Sequence, residues 1–305
     1  MGADFRSAND AFRLVEVIKE IVISRWEGKL DILINNAAQT LTDSVEAEER
    51  AVDKETLLRE QDVFFRETLI LGHSYKARVR GVAEGTSVGG LLGPGGVYDA
   101  GPSSVKSSGL VPAEQKLQLS APTKGSSWVQ SLSEIPYQDV ISAHSVNTFV
   151  PLILVRELLE LMADTNTATK RGSRGKTAGT NAAGYIVNVS SREGIFESSR
   201  DSSAKGGHHV HTNMSKAGLN MLTETEAATT WKNHGVAMNT VDPGYMSAAP
   251  ELEDAHRGER PIGWEDGAGR VLWSIAMGEK EGSVVWGRFL KHYGAVRVDV
   301  RFGRG

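Results

Sequence analysis

The stretch LDILINNAA at residues 30–38 decides the fold that we expect for this chain. Its first half is a nearly continuous apolar run, which is typical of a strand buried on both faces of a parallel sheet. The residues before it place apolar side chains on one face of a helix: Ala11, Leu14, Val15, Ile18, Ile21 and Val22. A helix followed by such a strand is half of a βαβ unit, so the sequence predicts an α/β protein.

The same alternation continues toward the C-terminus. After a charged, predicted helix at 41–70, we expect a helix at 137–162, a strand at 184–191, a helix at 214–231, a strand at 236–241, a helix at 264–277 and a strand at 283–290. This order predicts a Rossmann-like, doubly wound parallel sheet in a single domain of residues 1–305. The Gly/Ser/Pro-rich segment 81–127 is predicted to be a flexible insertion, and the polar segment 164–180 a shorter loop.

The composition narrows the classes of function. The formal net charge is −4, and no basic run argues for nucleic acid as a partner. The chain has no cysteine, which excludes disulfides and cysteine-bound metals. Because its apolar runs are too short for a bilayer and no signal peptide is visible, we expect a cytoplasmic protein without a membrane partner.

Five short motifs fall at the ends of the predicted elements. NNAA (35–38) ends the first strand, and VNTFVP carries Asn147 within the long helix. VNVSS ends the next strand in Ser190 and Ser191, HTNMSKAGLNMLT carries Lys216 at a helix start, and VDPGYM follows the strand after it. In this order and spacing, the motifs resemble those of the short-chain dehydrogenase/reductase family across residues 4–290. The HTNMSK phrase is similar to an atypical subgroup in which threonine replaces a tyrosine.

The resemblance implies hydride transfer between NAD or NADP and a small-molecule carbonyl or alcohol. The cofactor would lie across the carboxyl ends of the strands. By motif position, Ser191 would polarise the substrate oxygen, with Ser190 as the less favoured neighbour. Lys216 would bind the ribose and lower the pKa of a tyrosine hydroxyl. Asn147 would hold a water that links the lysine to solvent.

Further residues are carried over from the same motifs. Pro243 and Gly244 would approach the nicotinamide, and Asn35 would also tie neighbouring strands together. Asp4, which opens the first helix, fits the acid that the family places near the adenine. The resemblance therefore implies a cofactor site made of Asp4, Asn35, Asn36, Ala37, Lys216, Pro243 and Gly244.

Two departures from the family pattern bear on activity. Thr212 occupies the tyrosine position four residues before Lys216. Its hydroxyl has a far higher pKa than a phenol and its side chain is shorter by a ring, so it is a poor acid–base group. Three histidines just upstream, at 208, 209 and 211, titrate in the useful range, and one of them could substitute.

The second departure concerns phosphate binding. The family's first strand and its TGxxxGxG turn belong roughly 60 residues ahead of the strand at 30–34, where a helix N-terminus holds the pyrophosphate. Only 34 residues precede Asn35, so we expect a sequence that is truncated at its N-terminus and a sheet without its first one or two strands. The glycine-rich run 89–96 fits neither GxGxxG nor a phosphate loop, and a flexible loop is the favoured interpretation.

Two functions remain open at this point. One is an NAD(P)-dependent oxidoreductase, and the other is a catalytically inactive relative that serves as a binding or scaffold protein. The catalytic set would be Ser191, Lys216, Asn147 and Thr212. No metal is expected, because the three histidines lack a fourth ligand at suitable spacing. The apolar helix at 137–162 resembles the family's dimer helix, which predicts a homo-oligomer.

Overall fold

The computed structural model describes residues 2–43, 45–61, 127, 129–163, 182–196, 205–245 and 262–296. Four sequence predictions fall partly or wholly outside these ranges. They concern residues 62–70 of the helix at 41–70, the insertion at 81–127 except Ser127, its glycine-rich run at 89–96, and the loop at 164–180.

The described residues form one five-stranded sheet. Its strands are β1 (Ile32–Asn35), β2 (Gly184–Val189), β3 (Val236–Asp242), β4 (Phe289–Lys291) and β5 (Gly294–Ala295). They lie in chain order, with the first four parallel and β5 antiparallel to β4. The predicted parallel α/β sheet is confirmed. The strand predicted at 283–290 is wrong in extent, because pairing begins only at Phe289.

Helices connect the strands. They are α1 (Ala8–Arg25), α2 (Val45–Gln61), α3 (Tyr137–His144), α4 (Val150–Met162), α5 (Val210–His234) and α6 (Trp264–Glu281). A five-residue π-helical segment, Ser145–Phe149, joins α3 to α4, so the long helix predicted at 137–162 runs through a widened turn. Of the helices that the structure describes, none has both the length and the apolar character to cross a membrane.

Helices cover both faces of the sheet. On one face, α4 and α5 pack against side chains such as Ile186 and Met238, and α1 packs against α4. On the other face, α6 places Val271 and Ile275 against Val187. Every residue of β2 and β3 is buried as a result, which explains why apolar residues in these strands do not alternate with exposed polar ones. The doubly wound arrangement predicted from the sequence is therefore confirmed.

Two glycines allow the close packing at the start of α5. A Cβ on Gly218 would lie 2.9 Å from the Thr148 methyl carbon in the π-helical segment. A Cβ on Gly194 would lie 2.6 Å from the backbone nitrogen of Ala217. Both contacts are too short for any side chain, so these glycines set how closely the chain after β2 and the π-helical segment approach α5.

Candidate functional site

The carboxyl ends of β1, β2 and β3 meet at one rim of the sheet, because these strands are parallel. Open α/β sheets bind ligands at this rim. The chain leaves it through Asn36 after β1, Ser190 and Ser191 after β2, and Pro243 after β3. All of the sequence motifs except the one in the long helix therefore lie at the rim or at the adjoining start of α5.

A ladder of buried polar side chains lies under the rim. The Asn35 amide donates to Asn188 Oδ1 at 2.8 Å, and the Asn188 amide donates to Thr223 Oγ1 at 3.0 Å. Thr240 donates to the same Thr223 oxygen at 2.7 Å. Asn35 is buried and joins β1 to β2, whereas Asn36 next to it is exposed. Asn35 thus serves as a strand tie, and the exposed Asn36 and the residue after it face outward at the rim.

Lys216 is the most unusual group at the rim. Only 5% of the residue is exposed, and its ammonium donates to the Val189 carbonyl at 3.0 Å, at the end of β2. Burial lowers the pKa of Lys216 from 10.5 to about 8, and the negative charge of Asp242 partly opposes this change. An ammonium has three donors, and among the described residues this one uses a single donor. Within the described ranges, the other two donors therefore have no protein acceptor.

The two serines after β2 point in different directions. Ser190 is buried, and its hydroxyl donates to the Lys216 carbonyl at 3.4 Å. Ser191 is half-buried, and its Oγ accepts from the Glu193 amide at 3.1 Å, which caps a one-turn 3-10 helix at Arg192–Gly194. Because Ser191 Oγ accepts this bond, its own proton can be donated to a ligand oxygen.

Asn147 lies fully buried in the π-helical segment, and its side chain is used by the protein itself. Its Oδ1 accepts from the Gln39 amide at 2.7 Å, and its Nδ2 donates to the Gln39 carbonyl and to Ser215 Oγ, each at 2.9 Å. Both amide protons are therefore occupied. The side chain fastens the loop after β1 to α5 immediately beside Lys216, and this leaves it no proton with which to hold a water.

Thr212 is buried and turned toward the loop after β1. Its hydroxyl lies 3.5 Å from the Thr40 carbonyl, at the limit of a hydrogen bond. Its backbone carbonyl accepts from Ser215 Oγ at 3.0 Å. Thr212 is therefore close to the other predicted residues, but its hydroxyl supplies no titratable group for them.

The three upstream histidines face three different surroundings. His208 is exposed and forms a backbone bridge with Ser131. His209, buried and in a left-handed conformation with φ of 41°, places Nε2 at 2.7 Å from a carboxylate oxygen of Glu193. His211 is fully buried, and within the described part of the chain neither ring nitrogen has a hydrogen-bond partner.

Sequence reasoning missed several residues that shape this site. Gln39 and Ser215 complete the contacts of Asn147. Glu193 is held by His209, and its carbonyl accepts from the Lys205 ammonium at 2.6 Å, so two residues from before α5 clamp the turn that follows Ser191. No spacing rule links these partners, since each contact joins residues that are distant in sequence.

The remaining predicted residues lie at the two ends of the rim. Gly244 has φ of 98°, which favours glycine, and Pro243 before it is buried. Asp4 and Ala37 line a common cavity of about 470 Å³, where Asp4 pairs with Arg6 at 3.0 Å and Arg6 with Glu48 at 3.1 Å. Among the described residues there is no cluster of three or more metal-binding side chains.

Comparison with known proteins gives the following result. No family model and no curated protein matches the chain. Among solved structures, an oxidoreductase of the short chain dehydrogenase/reductase family from Brucella ovis, in complex with a partially ordered NAD, is 14% identical, with a TM-score of 0.44 over 94% of this chain and 75% of that one. The Pseudomonas aeruginosa RhlG/NADP active-site complex is 16% identical, with a TM-score of 0.48 over 95% and 73%.

A third similar structure is the NADPH bound carbonyl reductase from chicken fatty liver. It is 19% identical, with a TM-score of 0.37 over 58% of this chain and 63% of that one. Identities this low carry no information about the chemistry of a site.

Proposed function

We propose that this chain is a short-chain dehydrogenase/reductase-like oxidoreductase that uses NAD or NADP on a carbonyl or alcohol substrate. The observation that carries the proposal is Lys216, a buried ammonium at the ligand-binding rim with two donors unused among the described residues. Burying a charge without a paired carboxylate is costly. Such a cost is typical of functional sites, where the charge acts on a ligand.

The surrounding groups suit a ribose and a reacting oxygen. Of the two remaining ammonium donors on Lys216, one can bind a ribose hydroxyl and the other can be directed at the substrate oxygen, to which Ser191 can also donate its proton. The cofactor, when bound, supplies or accepts the hydride. Within the described ranges no TGxxxGxG turn stands at the rim, so the proposal concerns the nicotinamide and ribose end of the site.

The proton for the substrate oxygen needs a source other than Thr212. With a pKa of about 8, Lys216 is mostly protonated at neutral pH and gives up a proton far more readily than an ordinary lysine. We infer that Lys216 both binds the ligand and exchanges the proton, with Ser191 polarising the oxygen. A single group would then do the work that the family divides between tyrosine and lysine.

Cofactor binding tests the proposal directly. The full chain is titrated into NADH and into NADPH, and the fluorescence of the dihydronicotinamide is followed. We expect enhancement with at least one cofactor and about tenfold weaker binding for Lys216→Ala, which corresponds to about 1.4 kcal/mol. Lys232→Ala, in the last turn of the same helix, is the matched control and should bind like wild type. No fluorescence change with either cofactor at saturating protein would end the oxidoreductase proposal.

A second candidate is a catalytically inactive relative that binds ligands or proteins. The position of Thr212 favours it, since its hydroxyl is buried against the Thr40 carbonyl. Cofactor binding without turnover across a panel of aldehydes, ketones and alcohols would support this second function. Turnover of any of these substrates that is lost in Lys216→Ala would exclude it.

We also propose that the chain forms a homo-oligomer through the helical region from α3 to α4. Support comes from large apolar side chains that remain exposed there: Tyr137, Ile141, Phe149 and Leu152. Large apolar side chains left exposed on one helical region favour a protein interface there. A second copy of the chain is the expected partner, and a cytoplasmic location remains a prediction.

A further inference from the structure

Asp242, the last residue of β3, carries a carboxylate that accepts hydrogen bonds from three segments. The residue is 4% exposed. Its Oδ2 accepts from the Arg192 amide at 2.9 Å and from the Lys291 ammonium at 2.8 Å, and its Oδ1 accepts from the Gly244 amide at 2.7 Å. Hydrogen bonds to an ionised acceptor are short and strong, and all three fall in that range.

These bonds join parts of the rim that are far apart in sequence. Arg192 follows Ser191 directly, Gly244 lies in the loop after β3, and Lys291 ends β4. The carboxylate thus fixes the turn that follows Ser191 to the loop that follows β3. Asp242 is the shared acceptor of one backbone amide from each of these two segments.

We infer that Asp242 is a positioning residue that holds the Ser191 turn and the loop at Gly244 in fixed relation to each other at the rim. For its role in catalysis this inference rests on the proposed oxidoreductase function, but the positioning itself does not. Displacing a reacting group by about 1 Å is enough to reduce a rate about a hundredfold. Holding the backbone next to Ser191 in place therefore preserves the position of the Ser191 hydroxyl.

The same charge also acts on Lys216. The negative charge of Asp242 raises the pKa of the lysine against the effect of burial. An uncharged side chain at 242 would remove this support, so Lys216 would lose its proton at lower pH. Position 242 therefore links the geometry of the serine to the protonation of the lysine.

The substitution Asp242→Asn keeps the size of the side chain but removes its charge and one acceptor oxygen. It therefore tests the hydrogen bonds and the charge separately from the packing of the side chain. Asparagine has the shape of aspartate, but it has one acceptor oxygen and an NH2 group that only donates. Three donors converge on the carboxylate, so the NH2 must face either Gly244 or the pair of Arg192 and Lys291. At least one backbone amide then loses its acceptor.

The test measures amide hydrogen exchange by NMR on the full chain. In Asp242→Asn we expect the amide of Arg192, of Gly244, or of both to exchange about tenfold faster, since a bond to a charged acceptor is lost. Amides inside β3 should keep their rates. Lys291→Met is the matched control, because it removes the neighbouring ammonium but leaves the carboxylate, and both amides should stay protected.

Two further readings separate positioning from general stability. In protein with 13C-labelled lysine, the pKa of Lys216 should fall in Asp242→Asn and should not fall in Lys291→Met. NADPH or NADH affinity should weaken in Asp242→Asn and remain in Lys291→Met. If Asp242→Asn does not fold, the double variant Asp242→Asn/Lys291→Met also removes the unpaired ammonium. Hydrogen exchange is then measured at the amides of Arg192 and Gly244 in that variant.

Unchanged exchange at both amides, or faster exchange throughout the sheet without a local effect, would overturn the inference. Faster local exchange with unchanged cofactor affinity and an unchanged Lys216 pKa would show that Asp242 holds the two segments without affecting the cofactor site, and would overturn the inference in that respect. A wild-type chain that binds neither cofactor would remove the proposed function, while the exchange data would still decide whether Asp242 positions the two segments.

Discussion

Asn147 and Gln39 form a paired amide contact in which the side chain of one residue bonds both backbone groups of the other. Asn147 Oδ1 accepts from the Gln39 amide at 2.7 Å, and Nδ2 donates to the Gln39 carbonyl at 2.9 Å. The contact joins a π-helical segment to the loop after β1. The Asn147 side chain bonds the N–H and C=O of Gln39 in the way that a neighbouring strand would. It lies beside the helix turn that carries Lys216.

We expect Asn147→Ala to destabilise the protein strongly. The change leaves the amide and carbonyl of Gln39 without their bonds in a buried place, which costs roughly 2–4 kcal/mol in the free energy of unfolding. Urea denaturation followed by circular dichroism measures the loss. Asn220→Ala, on α5, is the control, because its amide makes only a 3.5 Å contact to Ser191 and should cost well under half as much. Equal losses in the two variants would contradict the role of the paired contact.

Lys216→Met should make the ligand-free protein more stable at neutral pH. The folded-state pKa of Lys216 is about 8, below its ordinary 10.5, so the unfolded chain binds this proton more tightly. The buried charge therefore costs about 3 kcal/mol at pH 7, a cost that disappears as pH rises from 8 to 10.5.

The advantage of Lys216→Met over wild type should shrink across that same pH window. Urea denaturation at pH 7, 9 and 10.5 follows it, with Lys232→Met as the control on the same helix. A variant that is no more stable than wild type at pH 7 would show that the ammonium is better compensated than its contacts indicate.

His211 should cause a loss of stability at acid pH. Burial lowers its pKa, and the charges of His209 and His144 act in the same direction, while Asp139 opposes them. The folded-state pKa of His211 lies below the ordinary 6.5, so the unfolded chain binds this proton more tightly. The free energy of unfolding is therefore unaffected by His211 above pH 6.5 and decreases as pH falls below that value. Burial also lowers the pKa of His144, which adds to the loss of stability at acid pH.

We therefore expect His211→Leu to retain more of its neutral-pH stability at pH 5 than wild type does. Thermal denaturation at pH 7.5 and pH 5 measures the difference. His208→Gln removes an exposed histidine close by and should leave the pH dependence unchanged. If His211→Leu lost stability on acidification as steeply as wild type, another group would be responsible.

Leu152→Glu should dissociate the proposed homo-oligomer. Leu152 lies on α4 with 41% of its surface exposed, and a charge there would be buried without a partner on association. Sedimentation velocity should show wild type as an oligomer and the variant as a monomer with unchanged circular dichroism. Leu272→Glu, with 44% exposure on α6 across the sheet, is the matched control and should remain oligomeric. A monomeric wild type would refute the proposal.

Much of the fold could be predicted because burial on both faces leaves a direct trace in sequence. The apolar stretches of β2 and β3 predict strands with both faces buried. The same logic fails near residue 284, where Val284, Val285 and Trp286 are apolar because they pack on the core. Trp286 stacks on Trp231 with ring centroids 6.0 Å apart, so burial here needs no strand.

The sequence motifs could be assigned to the rim, but the contacts of their side chains could not be predicted, and the roles of these residues stay a prediction. Consecutive helix residues point about 100° apart, so Thr212 and Lys216 share a face that His211 does not. No motif predicts that the His209 ring contacts the Glu193 carboxylate, or that the Asn147 amide donates to Gln39 and Ser215. These contacts depend on how distant segments pack. Sequence locates chemistry along the chain, and tertiary contacts decide its orientation.

Gly194 has a practical consequence for anyone who wishes to redesign this protein. Since its hydrogen occupies space that no methyl group could enter against α5, the turn after Ser191 has one immovable point. Any redesign of the segment after Ser191 must therefore keep glycine at this position. A larger residue at 194 would push this segment away from the backbone of Lys216 and Ala217, and would separate Ser191 from Lys216.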